Sequence, residues 1–451
     1  MIFTHKKVLV FGTGLSGISA VNLLNYANTD IVLYNSNANL DKTTILEKLP
    51  KEFKGEVILG KLPSRIIEQI DIVILSPGVP IDLEILDKIR DLNIPIWGEV
   101  ELAYAFEMGM VIAITGTNGK TTTTTLVGEI LKAHFDNVFV VGNIGTPYTQ
   151  LVRATCEHSY TVAEISSFQL ETIRYFRPNI SAILNIAPDH LDRHHTMSNY
   201  IETKINITKN QFEEDICILN YDDKILRELG DRLISQVFYF SGSKCLETGI
   251  YLENNNIIYS DKNQKTTVCN IDELKIFGKH NYENVMAAIG IALYAKVPMD
   301  IIRNAIKEFV GVEHRIEYVA TKNGVKYYND SKGTNPEASM KAVESMQTPT
   351  LLIAGGYDKG SDYDEWIKSF GDKIKCLILL GKTKDKIAAT AMTNGFSNII
   401  MVDTLEEAVS VSSRNAKEGE SVLLSPACAS WGMFKNYEER GILFKECVNK
   451  L

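Results

Sequence analysis

The chain has 451 residues, with 47 basic and 56 acidic side chains and a formal charge of −9. Hydrophobic residues make up 45% and charged residues 23%, ordinary globular proportions that exclude a disordered or collagen-like chain. At roughly 150 residues per domain the length suggests about three domains, and the acidic balance without a Lys/Arg block argues against nucleic-acid binding.

Two further exclusions come from residue placement. The seven cysteines are scattered and form no CxxC pair, so buried free thiols are expected rather than a disulfide framework or a cysteine metal site. Apolar runs such as 72–75, 351–354 and 377–380 have the length of strands and fall far short of a membrane span. The opening MIFTHKKVLVFG runs straight into a strand pattern with no cleavable leader, so a cytoplasmic protein without membrane contact is expected.

In chain order, short apolar runs alternate with helical stretches, the pattern of βα units and parallel sheets. The first series predicts strands at 7–11, 31–34, 71–75 and 94–97, with a helix over 18–26. A second series predicts strands at 111–115, 138–141, 161–165 and 182–185, and a helix over 126–134. Residues 238–272 alternate as antiparallel strands would, and a helix over 281–295 closes the series. A third predicts strands at 325–329, 350–355, 375–381, 399–402 and 421–425. Boundaries near 98 and 311 give domains 1–98, 99–311 and 312–451.

Gly12, Gly14 and Gly17 fit G-x-G-x-x-G between a strand and a helix, a turn that lets a diphosphate rest on a helix N-terminus. A dinucleotide site also wants a carboxylate ending the second strand, and here that strand ends Tyr34-Asn35-Ser36. The turn therefore suits a different diphosphate, or closes without a ligand.

Ile114-Thr115-Gly116-Thr117-Asn118-Gly119-Lys120-Thr121-Thr122 is more specific. A strand feeds a glycine loop, then Lys and Thr, then a helix, so backbone N–H groups can cradle phosphates. Lys120 can reach the β/γ oxygens and the Thr121 hydroxyl can ligate Mg²⁺. The usual first glycine of this pattern falls at Ile114, so the match is incomplete. Glu164 ends a strand of the same series and His190 follows another. Ligand sites of parallel sheets gather at such carboxyl ends, where a carboxylate and an imidazole can hold Mg²⁺. In the third series, strand ends carry Tyr328–Asn335, 355–360 and 425–431, rich in Lys, Asp, Ser and Thr, which suits a small carboxylated substrate. By residue pattern alone Lys204 is a solvated helix lysine.

Taken in order, GTNGKTT (116–122), the Glu164 segment, DHLDRH (189–194), GKHNYEN (278–284), EHR (313–315) and NDSKGTN (329–335) resemble the Mur ligase family of ATP-dependent amide-forming enzymes. EISSFQLE (164–171), GGYDKG (355–360), LLSPACASW (423–431) and FKNYEERG (434–441) resemble the member that adds D-glutamate to UDP-N-acetylmuramoyl-L-alanine. The resemblance covers essentially the whole chain. It implies an α/β protein of three domains. The first is Rossmann-like and binds UDP; the second is a phosphate-loop ATPase with a mainly parallel sheet plus a small antiparallel sheet; the third is Rossmann-like and receives the amino acid.

Residue by residue, the resemblance places Leu15, Ser16, Asn35, Ser76, Pro77, Gly78, Asn143 and Ser166 on the UDP-substrate, with Asn35 standing where relatives commonly have Asp. ATP falls to Gly116, Thr117, Asn118, Gly119, Lys120, Thr121, Thr122, Asn281, Arg315 and Asp330. D-Glutamate falls to Lys332, Thr334, Lys359, Ser430, Trp431 and Tyr437. Lys120, Glu164, His190 and Lys204 are the implied catalytic set. Thr121, Glu164, His190 and Lys204, the last as a CO₂-derived carbamate, are the implied ligands of two Mg²⁺ ions. A monomer in cytoplasmic peptidoglycan precursor synthesis is implied. Rival readings are another Mur ligase, a folylpolyglutamate synthase, a regulator that uses phosphate-loop occupancy as a switch, and a dehydrogenase binding nicotinamide at Gly12–Gly17.

Overall fold

The computed structural model describes residues 3–143, 145–358 and 360–451. Its first sheet holds β1 (Lys7–Phe11), β2 (Asp30–Asn35), β3 (Glu56–Leu59), β4 (Ile72–Leu75) and β5 (Ile96–Gly98). The order is β3-β2-β1-β4-β5 and every pairing is parallel. Covered on both faces, the strands read as unbroken apolar runs, as IVIL of β4 does. The order reverses between β1 and β4, which puts the turn Gly12–Gly17 and the loop Ser76-Pro77-Gly78 at one crevice, the usual place for a ligand.

The second sheet comprises β6 (Met110–Thr115), β7 (Val138–Gly142), β8 (Tyr160–Glu164), β9 (Ile180–Ile183), β10 (Ile216–Asn220), β11 (Gln236–Ser241), β12 (Thr248–Glu253), β13 (Asn256–Asp261) and β14 (Lys265–Asn270). Its order is β14-β13-β12-β11-β10-β9-β6-β8-β7. Two expectations are corrected here. The antiparallel strands form no separate small sheet but extend the parallel one, and β11 pairs in parallel with both β10 and β12. Only β12–β13–β14 run antiparallel, turning at Asn254-Asn255, both in left-handed conformation as a two-residue hairpin requires. The pattern reading also passed over β10: all five of its residues are buried, so it shows no alternation.

The third sheet is β15 (Glu317–Lys322), β16 (Val325–Asn329), β17 (Thr350–Ala354), β18 (Ile374–Leu379), β19 (Ile399–Met401) and β20 (Ser421–Leu424), in the order β15-β16-β20-β17-β18-β19. All pairings are parallel except β15–β16, a hairpin closed by Asn323-Gly324 with positive φ at both residues. That Asn-Gly signal lies in the sequence, but the strand pattern of the third series begins only at 325 and omits β15.

The three sheets occupy two compact units. One runs to Glu273 and includes His280–Lys307; the other is Leu274–Lys279 with Glu308–Leu451. The first two sheets share a unit because one core joins them: Val10 and Leu24 of the first belong to the same buried cluster as Tyr148, Val152 and Ile183 of the second. Buried carboxylates reinforce the join. Glu101 accepts the backbone N–H groups of Arg174, Tyr175 and Phe176 at 2.7, 2.6 and 3.0 Å. Glu99 accepts both the N–H and the hydroxyl of Thr149, whose hydroxyl also meets Ser19 Oγ on the helix Leu15–Tyr26. Among the described residues no helix is long and apolar enough to cross a membrane.

Candidate active site

The phosphate loop lies between β6 and the helix Lys120–Lys132. Gly119 caps that helix at φ +85°, where a Cβ would lie 2.2 Å from Asn284 Oδ1. Only glycine combines that backbone conformation with so close a neighbour. Asn185 brackets the loop from the end of β9: its side chain accepts the Asn118 N–H at 2.8 Å and donates to the Asn118 carbonyl at 3.1 Å. Thr117 Oγ1 joins Ala187 O and Tyr200 OH at 3.1 and 2.9 Å. Hydrogen bonds from the protein itself thus hold the loop in shape, which limits the ordering cost of binding.

Two lysines converge on it. Lys120 Nζ donates to the carbonyls of Gly116 and Thr117, both at 2.9 Å, and Lys204 Nζ donates to the same Gly116 carbonyl at 2.8 Å. Lys204 is 2% exposed, which overturns the solvated-helix reading of the bare pattern. Burial, reinforced by the neighbouring Lys120 ammonium, pulls its amine down to about 7, with Asp189 opposing. Asp189 and Tyr200, neither singled out from the sequence, therefore belong to this neighbourhood.

Glu164 ends β8, paired with Ile114 of β6. Its Oε1 accepts Asn143 Nδ2 at 2.9 Å, while Oε2 is buried without a hydrogen-bond partner. A buried carboxylate oxygen that lacks a donor is costly in isolation and is suited to a cation. Ser166 caps the next helical turn in a reciprocal capping box with Gln169. His190 is placed otherwise than Glu164: it is exposed, at φ +52°, with Nε2 3.5 Å from Asp189 and its ring 4.9 Å from that of Phe168. Among the described residues no three His, Cys, Asp or Glu side chains gather closely enough to hold a metal by themselves. Asn281 reaches the loop through Asn284, whose Nδ2 donates to it at 3.3 Å.

At the crevice of the first sheet, a Cβ on Gly17 would lie 1.9 Å from the Gly12 carbonyl, and one on Gly12 would lie 2.4 Å from Ser76 Oγ. The turn and the 76–78 loop are therefore in direct contact, and Ser76 Oγ is buried without a partner. Leu15 is 65% exposed at the start of the helix, an apolar side chain left at the mouth of the crevice. Asn35 donates to Thr13 Oγ1 at 2.9 Å and accepts the Asn37 N–H, so its amide links the glycine turn to the segment that follows β2.

In the second unit, Asp330 lies at the end of β16, 4% exposed. Its Oδ2 accepts the Ser425 hydroxyl at 2.6 Å and its Oδ1 the Ile316 N–H at 3.3 Å. Burial pushes the carboxyl up to about 7, opposed by Ser425 and by the Arg315 guanidinium. Tyr437, its hydroxyl raised by burial to about 12, is also within the field of Arg315. Lys332 Nζ stands 5.8 Å from the centre of the Tyr437 ring, so Arg315, Asp330, Lys332 and Tyr437 form one neighbourhood. Thr334 is half-buried in the adjoining loop, Ser430 is buried, and Trp431 is exposed beside Tyr357 at 5.9 Å. Lys359 lies outside the described residues.

Sequence reading missed Arg440 here. It is 2% exposed and donates to Ser331 Oγ, Ser331 O and Cys428 O at 2.9, 2.8 and 3.2 Å, tying the NDSKGTN loop to the SPACASW loop. An arginine on a helix ordinarily faces water, so its place within FKNYEERG gave no sign of its burial or of these partners.

A preshaped phosphate loop on a parallel sheet, with two lysines and an underpaired carboxylate around it, defines a nucleotide-dependent α/β enzyme. Three family models match in succession: the Mur ligase MurD-like N-terminal domain over 6–98, the Mur ligase middle domain over 114–292, and the Mur ligase glutamate ligase domain over 314–428. The chain belongs to the Mur ligase family and is a ligase. It is 60% identical to UDP-N-acetylmuramoylalanine--D-glutamate ligase of Lachnoclostridium phytofermentans, over 100% of this chain and 99% of that protein. It is 52% identical to the enzyme of the same name from Lachnospira eligens, over 100% of both.

Solved structures share the fold. UDP-N-acetylmuramate-alanine ligase MurC of Thermotoga maritima superposes with a TM-score of 0.60 at 20% identity, over 99% of this chain and 100% of that one. The MurF ligase of Thermotoga maritima in complex with ADP gives 0.58 at 17%, over 93% and 95%.

Proposed function

We propose that the protein joins D-glutamate to UDP-N-acetylmuramoyl-L-alanine at the expense of ATP, in cytoplasmic peptidoglycan precursor synthesis, with domains 1–98, 99–311 and 312–451. The observation that carries this reading is the pair Lys120 and Lys204 on the Gly116 carbonyl, beside β8 and its unpartnered Glu164 oxygen. The full-length identity to ligases of that name supports the choice of substrates.

In this reading the L-alanyl carboxylate attacks the γ-phosphorus of ATP, the γ–β bridging bond breaks, and ADP leaves behind an acyl phosphate. The D-glutamate amine then attacks the acyl carbon, loses its proton, and expels phosphate. Lys120 offsets charge as the two anions approach, and the loop N–H groups hold the phosphates in line. The unpartnered Glu164 oxygen fits Mg²⁺. Thr121, Glu164, His190 and Lys204 as a carbamate would hold two ions, which supply charge neutralisation at the phosphate oxygens. With burial holding its amine down to about 7, Lys204 has near neutral pH a substantial share of the uncharged form that condenses with CO₂.

Leu15, Ser16, Asn35 and the Ser76–Gly78 loop take the uridine diphosphate, while Asn143 and Ser166 face the muramoyl end. Asn281, Arg315 and Asp330 serve the nucleotide. Lys332, Thr334, Lys359, Ser430, Trp431 and Tyr437 receive D-glutamate. The enzyme acts as a monomer, with no nucleic-acid or membrane partner.

An amino-acid panel with ATP and UDP-N-acetylmuramoyl-L-alanine, scored by product mass and ADP, tests the assignment. Product with D-glutamate and ADP release that requires both co-substrates is expected. ADP release indifferent to them would leave the phosphate-loop switch standing, and nicotinamide binding would favour the dehydrogenase.

A further inference from the structure

The loop after β4 belongs to the first sheet, yet it is held by a side chain of the second. Arg193, 13% exposed, donates through Nη2 to the carbonyl of Val79 at 3.0 Å. The same guanidinium grips Glu171, Nε to Oε1 at 3.2 Å and Nη2 to Oε2 at 2.5 Å, and lies 4.5 Å from the centre of the Phe168 ring. Glu171 is 5% exposed, so the fork is fixed from behind by a buried carboxylate. On its other side the loop packs on the glycine turn: Ser76 and Val79 are the atoms a Cβ on Gly12 would meet. Ser76, Pro77, Phe168, Gln169 and Arg193 line one small pocket at this junction.

We propose that Arg193 is a positioning residue for the UDP-substrate: by clamping Val79 it sets the 76–79 loop in register with Phe168 and Ser166 of the second sheet. The two ends of the substrate site thereby keep a fixed spacing. This rests on the reading of Ser76–Gly78 and Ser166 as substrate contacts.

The test uses Arg193→Lys and the double variant Arg193→Met/Glu171→Gln, which removes both charges so that no buried ion is stranded. Hydrogen exchange of the unliganded enzyme reports the clamp directly: the amides of Gly78, Val79 and Ile81 should exchange about tenfold faster in the double variant, with β4 and β6 unchanged. In ligation assays KM for UDP-N-acetylmuramoyl-L-alanine should rise about tenfold, while KM for ATP and D-glutamate stays within about twofold. Arg193→Lys should fall between, because one ammonium cannot supply both forks. Unchanged loop exchange, or an equal rise in all three KM values, would overturn the proposal. A parent enzyme that makes no product would refute the proposed function instead, and the exchange measurement would still decide the clamp.

Discussion

Asp330→Asn should make the protein more stable at neutral and alkaline pH while impairing nucleotide use. The carboxyl is buried and its proton is held up to about 7, against an ordinary value of 3.8. Between those two values the folded state keeps a proton that the unfolded state has lost, so stability falls as pH rises; above about 7 the loss is complete. A shift of about three units at ~1.4 kcal/mol each sets a ceiling of ~4 kcal/mol, and local relaxation brings the expected effect to about 2–4 kcal/mol.

Asparagine has the same shape, can meet Ser425 Oγ and the Ile316 N–H, and does not titrate. The variant should therefore match the parent near pH 4 and exceed it by about 2–4 kcal/mol at pH 8. Urea midpoints read by Trp366 fluorescence suit the measurement, because Trp366 Nε1 donates to Ser339 Oγ, which is 2.9 Å from Ser425 Oγ. Replacing Trp97 and Trp431 with Phe isolates that signal. A stability difference flat with pH, or one in which the parent gains as pH rises, would refute the argument.

Lys120→Ala should abolish most ligation and leave UDP-substrate binding near the parent value, measured by calorimetry; normal turnover at saturating ATP would remove the loop from the mechanism. Lys359→Ala should raise KM for D-glutamate far more than KM for ATP in steady-state assays, since only the amino acid loses a counter-charge. Lys204→Ala should lose activity and regain part of it with acetate or formate but not with chloride at equal ionic strength, which separates a replaced oxygen from screening. Full activity of that variant in bicarbonate-free buffer would reject the carbamate.

Much of this protein was legible in its sequence because the relevant physics is local. The glycine loop before Lys120, the turn at Gly12–Gly17 and the βα alternation all reflect constraints acting within a few residues of chain. Two of the strands missed have a weak local signal: β10, buried throughout, and the short β3, with only one fully buried residue; β15 was missed despite its Asn323-Gly324 turn. Tertiary structure decided the rest. Lys204 and Arg440 look like surface cations in the chain, yet each is 2% exposed because distant segments close over it. Asp330 keeps its proton because a core assembled from distant segments buries it, outweighing the opposing hydrogen bonds from Ser425 and Ile316. Arg193 holds Val79 across 114 residues of sequence. Burial and electrostatic environment are sums over neighbours, and the sequence order of a chain does not say who those neighbours are until the sheets have packed.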